Sequence, residues 1–378
     1  MENIAIIAEY NPLHNGHLYQ MSRLEGENNV IVALSGNFTE RGDIAVASKY
    51  RRAAWAVKHG ASLVVEIPAF GVLSCAEHYA RCAAKVLSLL GCVDKLSFGS
   101  EAGDIDVLKK IALNKESNSV KDSLQELMKD GLSYPAALSK ALSDNLDIVD
   151  ADKILASPNN ILGIEYIRAL SGTNIEPTTI KRMGNNYSDN EINLDSNYAS
   201  ATSIRAHLSS DDVASYLPSD VLSEARQISI NEDALFHSLY SELIVNNRDI
   251  SAILNIGEGI DNRIREALKN SDNYGELLTN IKTKRYTLSR IKRTILDIVL
   301  GIKSDMKNYI DSIDYATVLA VKRDCLSMLG NINGYVITKY NDYAKTNHPF
   351  KDIDLRSNNL YNLVSSDKIT SHQMIIVD

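Results

Sequence analysis

The sequence predicts an α/β fold, in which a doubly wound parallel sheet is followed by a mainly α-helical region. Two observations lead to this prediction. Over residues 1–100 short β-branched runs alternate with helical stretches, and beyond residue 218 helical periodicity dominates. Strands separated by helices of about 10 to 15 residues are typical of βαβ units in a parallel sheet, which binds ligands beyond the carboxyl ends of its strands.

Each element is placed where the spacing of apolar residues changes. Strands, recognised from β-branched runs, are predicted at 4–8, 30–34, 63–67, 95–98 and 178–181. Helices, recognised from apolar residues that recur every three to four positions, are predicted at 16–23, 48–59, 76–90, 105–113, 120–129, 134–142, 161–170, 234–245, 263–268, 286–300 and 317–329. The polar stretch 184–197 is predicted to be a loop. A boundary near residue 210 then divides an α/β domain, 1–210, from a mainly helical domain, 211–378.

Composition and charge exclude several classes of protein. The chain has 378 residues, 44% of them hydrophobic, so it is long and apolar enough for real cores. Its net charge of −8 argues against general binding of DNA or anionic membranes. We expect a cytoplasmic protein with no membrane association, because no signal-peptide pattern and no run of about 18 apolar residues occurs. The four cysteines form no C-x-x-C pair, which leaves a zinc knuckle or disulfide framework unsupported.

The first predicted strand leads into a segment suited to binding an anion, Ala-Glu-Tyr-Asn-Pro-Leu-His-Asn-Gly-His. Pro12 ends the strand, and Asn15 and Gly16 begin a helix. His14 and His17 then share one face of the first helical turn, whose unpaired backbone N–H groups and dipole favour a negative charge. Gly16, without a Cβ, lets a ligand approach the backbone closely.

Two other interpretations of the histidine pair stay open. The pair has the helical spacing of zinc ligands, although no third ligand lies nearby in the sequence. The histidines can also be incidental surface residues. The strand–turn–helix context favours the anion site over both.

These residues carry a resemblance to a known superfamily. H-x-G-H at the end of the first strand is similar to the signature of nucleotidyltransferases that include the metabolic adenylyltransferases. The second signature of that superfamily, I-S-S-T-x-I-R, resembles Ala-Ser-Ala-Thr-Ser-Ile-Arg at 199–205. With the further segments 9–17, 35–38, 98–101 and 157–163, the chain resembles the bacterial tRNA(Met) cytidine acetate ligase family.

The resemblance implies a function. Members of that family activate acetate with ATP and transfer the acetyl group to N4 of the wobble cytidine of elongator tRNA(Met). It implies a nucleotidyltransferase-like, ATP-binding catalytic domain at 1–210 and a tRNA-binding domain at 211–378, with ATP and tRNA(Met) as partners. Mg²⁺ is the expected counter-ion of the departing pyrophosphate. Two alternatives stay open: an adenylyltransferase of a small metabolite, and a non-catalytic RNA-binding protein that holds ATP as a ligand.

The resemblance also implies roles for individual residues. His14 and His17 are expected to be catalytic, as fixed positive donors to the charge that develops on the α-phosphate. Arg205, with the hydroxyls of Thr202 and Ser203, suits the β and γ phosphates. The expected ATP-binding residues are Ile7, Ala8, Glu9, Tyr10, Asn11, Pro12, His14, Asn15, Gly16, His17, Gly99, Asn160, Arg182, Thr202, Ser203 and Arg205.

Several of these residues have a simpler structural interpretation. Thr202 or Ser203 can cap a helix that begins at Ile204, and Asn160 can also be a helix cap. Gly99 can be a turn glycine, and Arg182 a surface charge.

Glu9 departs from the wider adenylyltransferase pattern. Those enzymes have G-[ST]-F-D-P before the histidines, whereas this chain has Ala-Glu-Tyr-Asn-Pro, and Ala201 replaces the second serine of the late motif. A carboxylate at Glu9 would repel a phosphorylated nucleophile but can hydrogen-bond a cytidine amine or take its proton. Glu9 is therefore the third expected catalytic residue. No triad signature such as G-x-S-x-G appears, and an acyl-adenylate needs no covalent enzyme intermediate.

An acid-free basic stretch in the second half predicts contact with RNA. Projected at about 100° per residue, it has a basic front with one tyrosine and an apolar back. Cations with one aromatic suit RNA phosphates and a stacked base. A merely solvated cationic face is the alternative. The expected tRNA-binding residues are Lys282, Lys284, Arg285, Tyr286, Arg290, Lys292 and Arg293.

Overall fold

The computed structural model describes residues 2–24, 26, 28–132, 134–146, 148–182 and 198–378. The predicted loop at 184–197 lies outside the described residues. The strands are β1 Asn3–Ala8, β2 Asn29–Ser35, β3 Leu63–Ile67, β4 Lys95–Ser100, β5 Glu176–Lys181, β6 Tyr315–Lys322, β7 Tyr335–Ile337 and β8 Ile375–Val377.

Helices cover both sides of these strands and form most of the second half. The α-helices are α1 Asn15–Ser22, α2 Lys49–Lys58, α3 Ala69–Val72, α4 Ala76–Leu89, α5 Ile105–Asn114, α6 Asn118–Lys129, α7 Tyr134–Leu146, α8 Ala151–Ala156, α9 Pro158–Ala169, α10 Ala201–Ala206, α11 Ser219–Arg226, α12 Asp233–Tyr240, α13 Ile260–Lys269, α14 Tyr274–Ile281, α15 Leu288–Leu300 and α16 Phe350–Val364. Among the described residues, none of these helices combines the length and the apolar character that a bilayer crossing requires.

The strands join into one sheet with the order β5-β4-β1-β2-β3-β6-β7, and β8 pairs with β6. The strands β5, β4, β1, β2 and β3 run parallel to one another, as the alternation of strands and helices predicts. Their carboxyl ends therefore meet at one edge of the sheet. The predicted doubly wound α/β fold is confirmed.

The helix predicted at 317–329 is wrong, because β6 and a 3-10 segment, Arg323–Asn331, occupy that stretch. β6 lies between β3 and β7 and is buried along nearly its whole length. A strand buried on both faces is a continuous apolar run, which periodicity does not distinguish from a buried helix. The second half therefore contributes strands to the sheet. The functional division at residue 210 stays a prediction.

The C-terminal helix α16 is anchored on the sheet by buried polar groups. A carboxylate oxygen of Asp354 accepts the N–H of Ala69 at 2.8 Å, and the other accepts the hydroxyl of Tyr315 at 2.6 Å. One turn further along, the amide oxygen of Asn358 accepts Nδ2 of Asn37 at 2.8 Å. Asn37 follows β2, so α16 fixes the loop that leaves the sheet next to β1.

Candidate active site

The turn between β1 and α1 holds two histidines in fixed orientations. His14 is the N-cap of α1, and its Nδ1 accepts the N–H of Gly16 at 3.1 Å. Nδ1 of His17 accepts the N–H of His14 at 3.3 Å, and the two rings stack with centroids 3.7 Å apart. Because each Nδ1 is an acceptor, a neutral ring carries its proton on Nε2. The backbone thus assigns an Nε2–H donor to each histidine on the wall of the pocket.

Burial keeps both imidazoles neutral. It lowers the pKa of His14 to about 3, and the Arg182 and Arg205 guanidinium groups act in the same direction. The pKa of His17 is also well below its ordinary value, chiefly because of burial. The expectation of fixed positive donors is therefore corrected. At neutral pH the pair supplies hydrogen-bond donors rather than cations.

The first turn of α1 does not offer free amides to an anion. The N–H of Asn15 donates to the carbonyl of Tyr216 at 2.8 Å, and the N–H of His17 donates to the carbonyl of His14 at 2.8 Å. The N–H of Gly16 is used by the His14 ring. The predicted unpaired amides are thus absent at Asn15, Gly16 and His17, and the imidazoles are the groups that face the pocket.

Gly16 makes room for the ring of His14, because a Cβ built on it would lie 3.0 Å from Cε1 of that ring. The close approach of a ligand at Gly16 stays a prediction. Among the described residues, no third side chain joins His14 and His17 to form a zinc site. The described part of the chain contains no group of three or more His, Cys, Asp and Glu side chains that could hold a metal.

Glu9 is an acid with an unusually high proton affinity. Burial raises its pKa to about 7, and the carboxylates of Glu40 and Asp43 add to this shift. The N–H of Glu40 donates to Oε1 of Glu9 at 2.7 Å, and Arg205 also opposes the shift. A carboxyl with this pKa is partly ionised at neutral pH and can accept a proton there.

Arg52, on α2, holds the carboxyl ends of β1 and β2 together, and sequence reasoning missed it. Its guanidinium donates to the carbonyls of Glu9, Ser35, Gly36 and Ala47, with no exposed surface. The carbonyls of Glu9, Ser35 and Gly36 lie at or just after the ends of β1 and β2, and the carbonyl of Ala47 lies just before α2. A buried arginine without a carboxylate partner has no recognisable signal in a single sequence.

We expect Arg52→Met to lower the free energy of unfolding by about 2 to 3 kcal/mol, because four buried carbonyls lose their donor. Urea unfolding followed by circular dichroism measures this change. Lys58→Met on the same helix is the matched control. Its side chain is 46% exposed, with an ion pair at 3.7 Å to Glu224, and its expected loss is at most about 1 kcal/mol. Equal losses in the two variants would contradict the assignment.

The pocket lies at the carboxyl ends of β1, β2 and β4. Nine of the predicted ATP-binding residues line it: Ile7, Ala8, Glu9, Tyr10, Asn11, His14, His17, Gly99 and Arg182. The other predicted residues are not among those that line the pocket: Pro12, Asn15, Gly16, Asn160, Thr202, Ser203 and Arg205. Sequence reasoning missed these lining residues: Gln20, Glu40, Arg41, Tyr79, Phe98, Pro158, Asn159, Leu162, Tyr166, Ser200 and Ala201.

The late motif packs against the first turn. Ser200 is the N-cap of α10 and accepts the N–H of Ser203, so the helix begins before position 204. Arg205 donates to the carbonyl of Asn11 at 2.9 Å and to Oγ1 of Thr202 at 3.2 Å. The Ser203 hydroxyl is buried without a hydrogen-bond partner. The phosphate contacts predicted for Thr202, Ser203 and Arg205 stay predictions, and here Arg205 ties the two motifs together.

Gly99 and Arg182 form one end of the pocket. Gly99 lies within β4, and a Cβ on it would be 3.1 Å from Cγ of Arg182, so the glycine lets Arg182 pass close to the strand. Asn160 is buried behind this end. Its side-chain oxygen accepts the N–H of Ala102 at 3.0 Å, and Nδ2 donates to the carbonyl of Ile154 at 3.1 Å. Both polar atoms of the Asn160 side chain therefore form hydrogen bonds with the backbone.

The predicted basic helix begins later than expected. α15 starts at Leu288, so 282–286 precede the helix and share no helical face with the cations that follow. Tyr286 is only 4% exposed, and its hydroxyl donates to the carbonyl of Glu258 at 2.6 Å. Its ring contacts the Arg290 guanidinium, 5.4 Å from the centroid. A ring buried in this way is not presented to a base.

The remaining predicted cations fall into two groups. Lys282, Lys284 and Arg285 are exposed. Lys292 and Arg293 instead face the loop after β2, where they pair with Asp43 at 2.6 Å and with Glu40 at 2.9 Å, respectively. The basic stretch therefore has an outer part open to solvent and an inner part bound to the loop after β2.

Comparison with known proteins places this site in context. A family model described as HIGH Nucleotidyl Transferase matches residues 1–374. The tRNA(Met) cytidine acetate ligase of Acetivibrio thermocellus is 35% identical over 92% of this chain and 91% of that protein. The Clostridium novyi protein of the same name is 37% identical over 82% of this chain and 81% of that protein.

Solved structures extend the comparison to the fold. The apo form of Thermotoga maritima TmcAL superposes with a TM-score of 0.86 at 25% identity. The form bound with alpha-thio ATP superposes with a TM-score of 0.82 at 26% identity. Each match covers 100% of both chains.

Proposed function

We propose that this chain, which belongs to the HIGH nucleotidyl transferase family and within it to the tRNA(Met) cytidine acetate ligases, is an ATP-dependent acetate–tRNA ligase. It activates acetate and transfers the acetyl group to N4 of the wobble cytidine of elongator tRNA(Met). The observation that carries the mechanism is the stacked pair of neutral imidazoles, His14 and His17, which line the same pocket as Glu9.

In the first step a carboxylate oxygen of acetate attacks the α-phosphorus of ATP. A phosphorus–oxygen bond forms, the bond to the β-phosphate oxygen breaks, and pyrophosphate leaves. Negative charge grows on the non-bridging oxygens in the transition state. The Nε2–H groups of His14 and His17 are donors in fixed positions that can stabilise this charge.

In the second step the N4 amine of cytidine attacks the acetyl carbon of acetyl-adenylate. The carbon–nitrogen bond forms, the bond to the AMP oxygen breaks, and AMP leaves. The amine must lose a proton, and the Glu9 carboxylate, with a pKa of about 7, is a suitable acceptor. No nucleophilic side chain takes part, since the anhydride is already activated.

Mg²⁺ belongs to this proposal as a companion of ATP. Its usual ligands are phosphate oxygens, waters and one or two carboxylates. The described residues offer no cluster built for a metal, and on the pocket wall Glu40 is paired with Arg293. The triphosphate would therefore be the main holder of the ion, which would offset its negative charge.

The exposed part of the basic stretch supports a tRNA contact. Lys282, Lys284 and Arg285 are open to solvent, whereas the chain as a whole carries a net charge of −8. Local cations on an acidic protein favour a specific polyanion over general binding. We propose these three residues as phosphate contacts of the tRNA.

The double variant Lys284→Glu/Arg285→Glu should weaken tRNA binding about tenfold or more and reduce the slope of log Kd against log salt by about 1 to 2, since two phosphate contacts are lost. Filter binding at several salt concentrations measures both quantities. Lys109→Glu/Lys110→Glu on α5 carries the same change of charge and should bind nearly normally. Equal weakening of tRNA binding in the two double variants would show that Lys284 and Arg285 are not part of the tRNA site.

The function is tested by the release of pyrophosphate from ATP in the absence of tRNA. Release that depends on acetate supports the ligase. Dependence on a phosphorylated metabolite would instead indicate an adenylyltransferase, and no release at all would indicate an RNA-binding protein that holds ATP as a ligand. The relatives' names favour neither alternative.

A further inference from the structure

Two permanent cations line the pocket, and they follow strands on opposite sides of β1. Among its described lining residues, the arginines and lysines are Arg41 and Arg182. In the sheet order β4 and β5 lie on one side of β1, and β2 lies on the other. Arg182 follows β5, and its N–H donates to the carbonyl of Ser100 at 3.0 Å. Arg41 lies in the loop after β2, so the two guanidinium groups come from opposite sides of the histidine turn.

Arg182 is already associated with the nucleotide end. It passes close to Gly99 on β4, and its charge contributes to the low pKa of His14 and His17. Arg41 instead lines the pocket beside Glu40, whose backbone amide holds Glu9. The end that contains Glu9 is the end at which the proposed acceptor chemistry occurs.

The loop that carries Arg41 is braced from the second half of the chain. Lys292 pairs with Asp43 at 2.6 Å, and Arg293 donates to the carbonyl of Glu40 at 2.7 Å and to its Oε1 at 2.9 Å. Gly42 has a φ of 78°, and a Cβ on it would lie 2.6 Å from the backbone nitrogen of Arg293. The acids before and after Arg41 are thus neutralised by α15, and the backbone between them packs directly on that helix.

Acetate needs such a cation. It is a small anion that must approach a triphosphate beside two carboxyl groups, Glu9 and Glu40, so repulsion opposes its binding. A guanidinium presents paired donors that match the two oxygens of a carboxylate. Burial leaves Glu9 partly protonated at neutral pH, which reduces one source of repulsion.

We propose that Arg41 binds the carboxylate of acetate at the β2 side of the pocket, with Lys292 and Arg293 as positioning residues that hold its loop. This inference rests on the proposed ligase function. It places the acetate subsite between the histidine turn and the loop at 40–43, opposite the end formed by Gly99 and Arg182. It also links the subsite to α15, which follows the exposed tRNA-facing cations in the chain.

The test is steady-state pyrophosphate release without tRNA, with acetate and ATP varied in turn. Arg41→Gln should raise the KM for acetate about 10- to 100-fold, the range expected for the loss of a charge-assisted hydrogen bond, and leave the KM for ATP nearly unchanged. Arg41→Lys keeps the charge, so its KM for acetate should lie between those of the wild type and of Arg41→Gln. Arg182→Gln should show the opposite pattern, with the KM for ATP raised. Arg23→Gln, on the exposed end of α1, should match the wild type.

The outcomes separate the subsite from the function. If wild-type enzyme releases pyrophosphate with acetate but Arg41→Gln keeps a normal KM for acetate, the assignment of Arg41 to the acetate subsite is wrong. The proposed ligase function is then unaffected. A rise in the KM for ATP equal to that for acetate would assign Arg41 to the nucleotide instead. If the wild type shows no dependence on acetate, the proposed function itself fails. Melting curves establish that each variant is folded.

Discussion

His17→Ala is expected to lower the rate of acetyl-adenylate formation about 10²- to 10³-fold. The reason is the orientation of the ring, because its Nδ1 accepts the His14 N–H and its Nε2–H remains for the phosphate. Charge on the phosphate oxygens grows mainly in the transition state, so ATP affinity should change by less than about a factor of three. Single-turnover formation of acetyl-adenylate and equilibrium binding of ATP measure the two effects.

The control for this prediction is His237→Ala, since His237 is exposed on α12. Because burial holds the pKa of both active-site imidazoles far below 6.5, the wild-type rate of adenylation at saturating acetate should show no histidine titration between about pH 6 and pH 8. A loss of activity as the pH rises through 6.5 would indicate that a charged imidazole is required. Equal losses of rate and ATP affinity would also contradict the proposed role.

Glu9→Gln is expected to slow acetyl transfer to tRNA about 10²- to 10⁴-fold, the usual contribution of a general base, while adenylation continues. The pKa of Glu9, about 7, determines how the rate of acetyl transfer depends on pH. Below pH 7 the wild-type transfer rate should rise about tenfold per unit as the carboxylate forms, and above pH 7 it should level off. The glutamine variant should show no such rise. Single-turnover transfer from added acetyl-adenylate is the measurement.

The matched control is Glu126→Gln, which removes an exposed carboxylate on α6. A wild-type transfer rate in Glu9→Gln would leave Glu9 as a structural acid that accepts the Glu40 amide. Loss of adenylation together with transfer would assign it to the first step. Either result would remove Glu9 from the acceptor chemistry.

The sequence predicts the features that are local to one segment. The parallel strands, the turn after β1 and the position of His14 and His17 on the pocket wall all follow from short-range patterns. In each case the residues that decide the structure lie within a few positions of one another.

The features that escape prediction depend on contacts between distant segments. The neutral state of His14 arises from burial and from Arg182 and Arg205, more than 160 residues away in the chain. The four carbonyls held by Arg52 come from three separate segments. Tyr286 is an aromatic residue in a basic stretch, but its side chain is buried and its hydroxyl donates to the carbonyl of Glu258, 28 residues earlier in the chain.

The most direct test of the central claim is the nucleoside composition of unmodified elongator tRNA(Met) after incubation with the enzyme, ATP and acetate. We expect N4-acetylcytidine at the wobble position by mass spectrometry, only when both ATP and acetate are present. A tRNA with uridine at that position, which has no N4 amine, should remain unmodified. Pyrophosphate release without N4-acetylcytidine in the tRNA would contradict the account, because it would show that the activated acetate has another acceptor.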